Sequence, residues 1–240
     1  MNRDRSSLVF LLLGPAIAAG LCTANGYARG LLRVAPRQEL AILRTAHEIF
    51  SAPETHGARL GSISAFRPVT SEQTVLPVVG GTASANGIHW LRVLLPGRPN
   101  GHSGWIKATG TALTVTSWHI VVETAARRVR VYRSGQLIRS FAAVVGKPST
   151  PTPHGRFFVE EDVRMPPGTA GAPFALALSA RSDVLRTFEG GPGQIAIHGL
   201  ALLVGTPGTA ASHGCVRLAT PNIRWLATHV TTGVPVTIMT

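Results

Sequence analysis

Cysteine is scarce in this chain, with only two among 240 residues. No cysteine pair and no H-E-x-x-H motif is present, so the usual zinc-ligand spacings are missing. Charged residues make up only 14%, and the acidic ones are rarer still, 11 against 23 Lys+Arg. The basic residues are scattered, with no Lys/Arg run and no nucleic-acid motif, which excludes a nucleic-acid partner from the reading. The apolar stretch from Leu8 to about Leu21 falls short of the ~20 residues that span a bilayer. No internal repeat or low-complexity segment is visible.

What is there points outward. Hydrophobic residues make up 45%, enough for a packed core. The formal net charge of +12, mostly arginine, implies attraction to an anionic partner such as a cell-wall polymer. Arg3 and Arg5 precede the apolar stretch, the order of an export segment, and small residues near Ala18, Ala19, Gly20 and Ala24 offer cleavage sites. Residues 1–24 are therefore read as a signal peptide or N-terminal anchor. The rest is expected at the cell wall, in a periplasmic space or on the outer membrane face. Cys22 falls in that segment behind Leu21, a poor context for lipidation. The exported part thus carries one thiol, Cys215.

Residues 25–38 read as a linker. From 39 to 112, short apolar runs alternate with turn signals such as Gly80-Gly81, Asn86-Gly87 and Pro99-Asn100-Gly101, the pattern of a small β-barrel. A helix is expected over Glu39–Phe50, where Leu40, Leu43, Ala46 and His47 share a face. His89–Leu95 and Gly104–Lys107 read as strands, with Trp90 and Trp105 as core. This stretch resembles a bacterial SH3-like module, in which a W-x-x-V strand and a G-W-I strand recur.

A second unit, 117–240, is also mainly β. Trp118–Glu123 is a strand. Arg128–Tyr132 and Leu137–Phe141 form a hairpin about Ser134-Gly135, and Gln194–His198 is a further strand. One helix is expected after the cysteine, with Thr220 as N-cap, Pro221 at the first helical position, Ile223, Leu226, Ala227 and Val230 buried, and Gly233 at C′.

A nucleophilic cysteine needs a base, a group that orients the base, and donors for an oxyanion. His198 ends a strand and precedes Gly199, and Cys215 follows across a loop holding Gly205, Pro207 and Gly208. Gly214 leaves the backbone beside the thiol open, and the N–H groups of Gly214 and Cys215 are candidate oxyanion donors. Arg217 could bind a carboxylate or hold the turn. The run Ser212-His213-Gly214-Cys215-Val216-Arg217, with His198-Gly199 before it and Gly146-Lys147-Pro148-Ser149-Thr150-Pro151-Thr152-Pro153-His154-Gly155 further upstream, resembles the YkuD-type L,D-transpeptidase family over about Ser117–Thr240.

That resemblance implies a catalytic β-sandwich with a helix after the nucleophile. Cys215 would be the nucleophile and His198 the base. The Gly199 carbonyl would orient the imidazole, and His213 would line the site. Ser212, Gly214 and Arg217 would support the loop or contact substrate. It also implies no cofactor or metal, and peptidoglycan stem peptides as donor and acceptor. Two rival readings stand beside it. A sortase shares the order His, Cys, Arg, with Arg224 as the candidate arginine. A non-catalytic wall-binding protein would suit the charge and the first module.

Overall fold

The computed structural model describes residues 1, 33–53, 57–85, 87–188 and 190–240. The export segment and linker residues 25–32 lie outside the described residues. Among the described residues no helix is long and apolar enough to cross a membrane.

The first sheet holds seven strands: β1 (Gln38–Leu43), β2 (His47–Phe50), β3 (Arg59–Ile63), β4 (Val75–Ala85), β5 (Ile88–Leu94), β6 (Ser103–Lys107) and β7 (Thr111–Thr116). Their order is β3-β2-β6-β5-β4-β1-β7. The expected helix over Glu39–Phe50 is absent, and β1 and β2 stand in its place. Ala41, Leu43, His47 and Ile49 are buried on alternate positions, while Ala46, needed for the helical face, is exposed. Pairing of β1 with both β4 and β7 supplies its backbone partners, and such non-local pairing overrides the local helical spacing. Trp90 is buried edge-on to Phe50, whereas Trp105 is only partly buried.

The second unit comprises β8 (Trp118–Glu123), β9 (Arg128–Arg133), β10 (Gln136–Ala142), β11 (Val145–Gly146), β12 (Gly155–Arg164), β13 (Phe174–Arg181), β14 (Gln194–Gly199), β15 (Ala210–Ser212), β16 (Val216–Leu218), the helix α1 (Thr220–Ala227) and β17 (Pro235–Met239). Eight of these strands run β10-β9-β8-β17-β12-β13-β14-β16, and β11 pairs with β15 separately. The hairpin β9–β10 forms as its alternation requires. Val129 and Val131 face the core, and Ser134 and Gly135 both take positive φ, at 51° and 77°.

Helix α1 follows the nucleophile strand and buries Ile223 and Leu226. Its N-cap is Ala219 rather than Thr220, and no side chain caps it. Pro221 still falls in the first turn, where its missing N–H costs no hydrogen bond. The helix stops at Ala227 with Thr228 as C-cap. Gly233 therefore serves the later turn into β17, at φ 82°, and donates its N–H to the Val159 carbonyl.

Strand β12 joins the two units. Phe157 and Val159 enter the core of the second unit, while Phe158 enters the core of the first. Residues 157–161 are all buried, including Glu160 and Glu161. Burying two carboxylates is costly unless each is paired. Arg67 of the first unit bonds Glu160 and lies 3.7 Å from Glu161, and Arg181 reaches Glu160 at 3.0 Å. Glu161 also accepts the N–H of Thr70 at 2.9 Å. Next along the strand, burial and the neighbouring Glu72 push Asp162 up to about 6.

Removing the shared cation leaves two buried carboxylates short of a partner, so Arg67→Ala is expected to destabilise by about 3–5 kcal/mol in urea unfolding. Asp162 acts with the opposite sign. Its folded pKa lies above its unfolded value, so the penalty is absent below about pH 4 and grows as pH rises through about 6. Asp162→Asn is therefore expected to stabilise the protein at pH 7. The gain should be about 1–2 kcal/mol, reduced from the full shift because the carboxyl is partly solvated. It should vanish at pH 4.

Candidate active site

Cys215 sits between β15 and β16, on a turn held from several sides. Gly214 adopts φ 123°, and a Cβ there would come within 2.9 Å of Ile195 Cδ1. Glycine is therefore required by both conformation and space. Ser212 Oγ accepts the Gly214 N–H at 3.1 Å and donates to the Cys215 carbonyl at 2.5 Å. This engages one of the two N–H groups expected to serve an oxyanion. The proline-rich loop holds the turn from below. Thr152 Oγ1 donates to the Gly214 carbonyl at 2.8 Å, Thr150 Oγ1 donates to that of Ser212 at 3.2 Å, and the Lys147 N–H reaches the same oxygen at 3.0 Å. Gly146 is also required, since a Cβ there would overlap the backbone of Thr150–Thr152.

Parallel pairing of β14 with β16 brings the histidine to the thiol's side of the sheet. Ile197, His198 and Gly199 stand opposite Val216, Arg217 and Leu218. The Ala196 N–H points at Cys215 Sγ, 3.4 Å away. Ile195 and Ile197 face the core, which leaves Gln194, Ala196 and His198 on the other face. His198 Nδ1 lies 2.8 Å from the Gly199 carbonyl oxygen. A carbonyl only accepts, so Nδ1 carries the proton and Nε2 keeps its lone pair. Burial pulls the His198 pKa below the ordinary histidine value; the Gly199 hydrogen bond opposes this, and the Arg217 charge adds to it. The imidazole is therefore neutral near pH 7.

Arg217 is buried, at 6% exposure, and its Nη1 donates to the Val204 carbonyl at 2.6 Å. Its backbone exchanges two 2.9 Å hydrogen bonds with Val144. Burial lowers its pKa, and the Cys215 side chain opposes that shift. Arg217 thus ties the loop after His198 to the thiol strand. His213 is exposed, its ring 5.7 Å from that of Phe188. With Cys215 it lines a small pocket walled by Leu185, Phe188, Gln194 and Ile195. Arg224, the candidate for a sortase-like site, lies on the exposed face of α1.

Several contributors escaped the sequence reading. Thr150 and Thr152 could have been suspected, because hydroxyls alternating with prolines are free to bond a neighbouring backbone. Gly171 packs against the imidazole, and a Cβ there would come within 2.8 Å of His198 Nδ1. Its N–H bonds the Ala201 carbonyl, and its own carbonyl accepts the Gly199 N–H, both at 2.8 Å. Among the described residues no group of three or more His, Cys, Asp or Glu is arranged to hold a metal.

The family model for the YkuD L,D-transpeptidase catalytic domain matches residues 117–238. L,D-transpeptidase 1 of Mycobacterium tuberculosis is 33% identical over 127 residues, covering 50% of this chain and 49% of the relative. The putative L,D-transpeptidase YkuD of Bacillus subtilis is 30% identical over 121 residues, covering 50% of this chain and 65% of the relative. The chain thus spans about half the length of the mycobacterial relative it matches. Among solved structures, an L,D-transpeptidase from Mycobacterium smegmatis covers 68% of this chain and 99% of its own, with 19% identity and a TM-score of 0.41. The L,D-transpeptidase LdtMt1 in complex with imipenem covers 70% and 91%, with 19% identity and a TM-score of 0.44. With the family model matching from the first strand of the second unit to the last, this chain belongs to the YkuD family of L,D-transpeptidase catalytic domains.

Proposed function

We propose that this protein is an exported peptidoglycan L,D-transpeptidase that works through a Cys215 thioester. The observation that carries the reading is the arrangement on β14. His198 holds its proton on Nδ1 against the Gly199 carbonyl, and two residues earlier the Ala196 N–H addresses the Cys215 sulfur. A neutral imidazole with its Nε2 lone pair available is the form that can accept a thiol proton. The Ala196 N–H then stabilises the sulfur as it gains charge.

The family resemblance supplies the reaction, and these groups are given its roles. Cys215 Sγ attacks the carbonyl of the L,D bond between residues three and four of a stem peptide, and its proton passes to His198. The tetrahedral intermediate collapses, the terminal D-alanine leaves with that proton on its nitrogen, and a thioester remains. A side-chain amine of a second stem attacks the thioester, His198 takes the amine proton, and the thiol is regenerated with a 3→3 cross-link. Water as acceptor would instead give a trimmed tripeptide. The net positive charge suits a polymer of anionic stems and wall phosphates. We read the 39–112 module as SH3-like and attached to this catalytic unit.

The non-catalytic wall-binding alternative lacks a comparable supporting observation, because it gives the ordered thiol turn nothing to do. Residues 33–240 incubated with disaccharide-tetrapeptide are expected to yield tripeptide or 3→3 dimer. Cys215→Ala should lower turnover at least ~1000-fold, and imipenem should add mass to the wild type and not to the variant. Product formation that survives in the alanine variant would exclude the thioester route. The pH profile gives a separate check. The base form of His198 exists above its pKa, which burial has lowered. kcat/KM should therefore hold as pH falls to about 6.5 and decline only below it. An acid limb centred at or above the ordinary histidine value would contradict a buried neutral base.

A further inference from the structure

We propose that the first module completes the active site, and that Arg98 is a positioning residue for the wall of the thiol pocket. This rests on the transpeptidase reading above. The wall is the segment 182–193, which leaves the end of β13 and returns to the start of β14. Its neck is closed by the Ser182 N–H donating to the Gly193 carbonyl at 2.7 Å. Its side chains Leu185 and Phe188 face Cys215 and His213 across a cavity of about 30 Å³. A wall this close to the sulfur decides how an acyl donor lies against it.

Within the segment Ser182 Oγ accepts the N–H groups of Val184 and Leu185, and Phe188 and Gly191 bond each other; the first module adds supports at the neck. Arg98 sits in the turn between β5 and β6. Its Nη2 donates to the Ser182 carbonyl at 2.6 Å and reaches that of Leu185 at 3.4 Å, while Nη1 donates to the Pro192 carbonyl at 3.0 Å. One guanidinium thus ties both ends of the segment together. Its planar fork allows this, whereas a lysine ammonium is a single point of charge. Asn100 fixes the same neck. Its side chain donates to the Arg181 carbonyl at 2.7 Å and to Asp183 at 3.0 Å, and accepts the Arg181 N–H at 2.8 Å. Gly193 can carry no side chain, because a Cβ would overlap the Leu185 carbonyl oxygen.

A second connection reaches the pocket independently. Gln194 lines it and donates to Glu160 at 2.7 Å, and Glu160 is the carboxylate bonded by Arg67 of the first module. The first module therefore grips the wall at its neck and at the first residue of β14. An offset of about 1 Å in a donor pose costs up to ~100-fold in rate, so such a grip has a kinetic consequence.

The test compares the described chain, residues 33–240, with Arg98→Ala and Arg98→Lys. For Arg98→Ala, kcat/KM for the tetrapeptide donor should fall about tenfold or more while KM for the acceptor stays within about twofold, and Arg98→Lys should recover only part of the loss. Alkylation of Cys215 by iodoacetamide, which is too small to need the wall, should stay within about twofold in all three proteins. Hydrogen exchange should accelerate over 182–193 and not over β8–β10. Donor kcat/KM within about twofold of wild type, or an alkylation rate that falls in parallel with turnover, would overturn the proposal. If the wild type alkylates but forms no product, the transpeptidase reading fails. Hydrogen exchange then decides the grip alone: unchanged exchange over 182–193 in both variants overturns it.

Discussion

Burial of β12 on both faces is the constraint on which the arrangement depends. An ordinary edge or outer strand alternates between core and solvent. Here residues 157–161 have no solvent face, because one side belongs to the catalytic core and the other to the first module. Phe157 and Phe158 can both be buried only if the two units stay docked. Glu160 and Glu161 then lie where water cannot reach them, and their charges must be met by Arg67, Arg181, Gln194 and the Thr70 N–H. A carboxylate in that position accepts only from well-placed donors, so it fixes the angle at which the units meet. Apolar contact alone would tolerate more rotation.

The same carboxylate connects docking with chemistry. Glu160 holds Gln194, the first residue of the strand that carries Ala196 and His198. The Ala196 N–H and the imidazole then take their positions from strand pairing on either side, with β13 and with β16. The nucleophile turn is held in a different way, by Ser212, Thr150 and Thr152 bonding its backbone. The base therefore rides on a sheet, and the thiol sits in a loop braced by hydroxyls. Both supports hold the backbone by hydrogen bonds, and alignment of that kind is a recognised source of rate.

Much of this was legible in the chain because it is local. The β9–β10 hairpin follows from alternation and a two-residue turn. The nearness of Cys215, His198 and the Gly199 carbonyl follows from short motifs set on neighbouring strands. The misread segment was Glu39–Phe50, where Leu40 and Leu43 mimic a helical spacing while β1 takes its partners from β4 and β7 and β2 takes its own from β3 and β6. The roles of Arg67 and Arg98 were hidden for the same reason. Their partners lie in another unit, far along the sequence, and a lone arginine in a basic chain carries no local sign of which distant groups it will bond. The Gly214 N–H was assigned to an oxyanion because its position is right; that Ser212 occupies it depends on one side-chain rotamer.

Gly199 shows how packing selects the chemistry of the base. A side chain at that position would collide with the Ala172 carbonyl, so no carboxylate could be built there to hold the imidazole. A backbone carbonyl can fix the tautomer, but it brings a dipole where an acid would bring a full charge. An acid partner would raise the histidine pKa and favour a resting imidazolium. With only the carbonyl opposing it, burial prevails and the pKa falls. Arg217, held close by strand pairing, adds to that direction. The site therefore keeps its base uncharged until a proton is offered to it. In the proposed reaction, positive charge on the ring develops against an oriented carbonyl that is already in place.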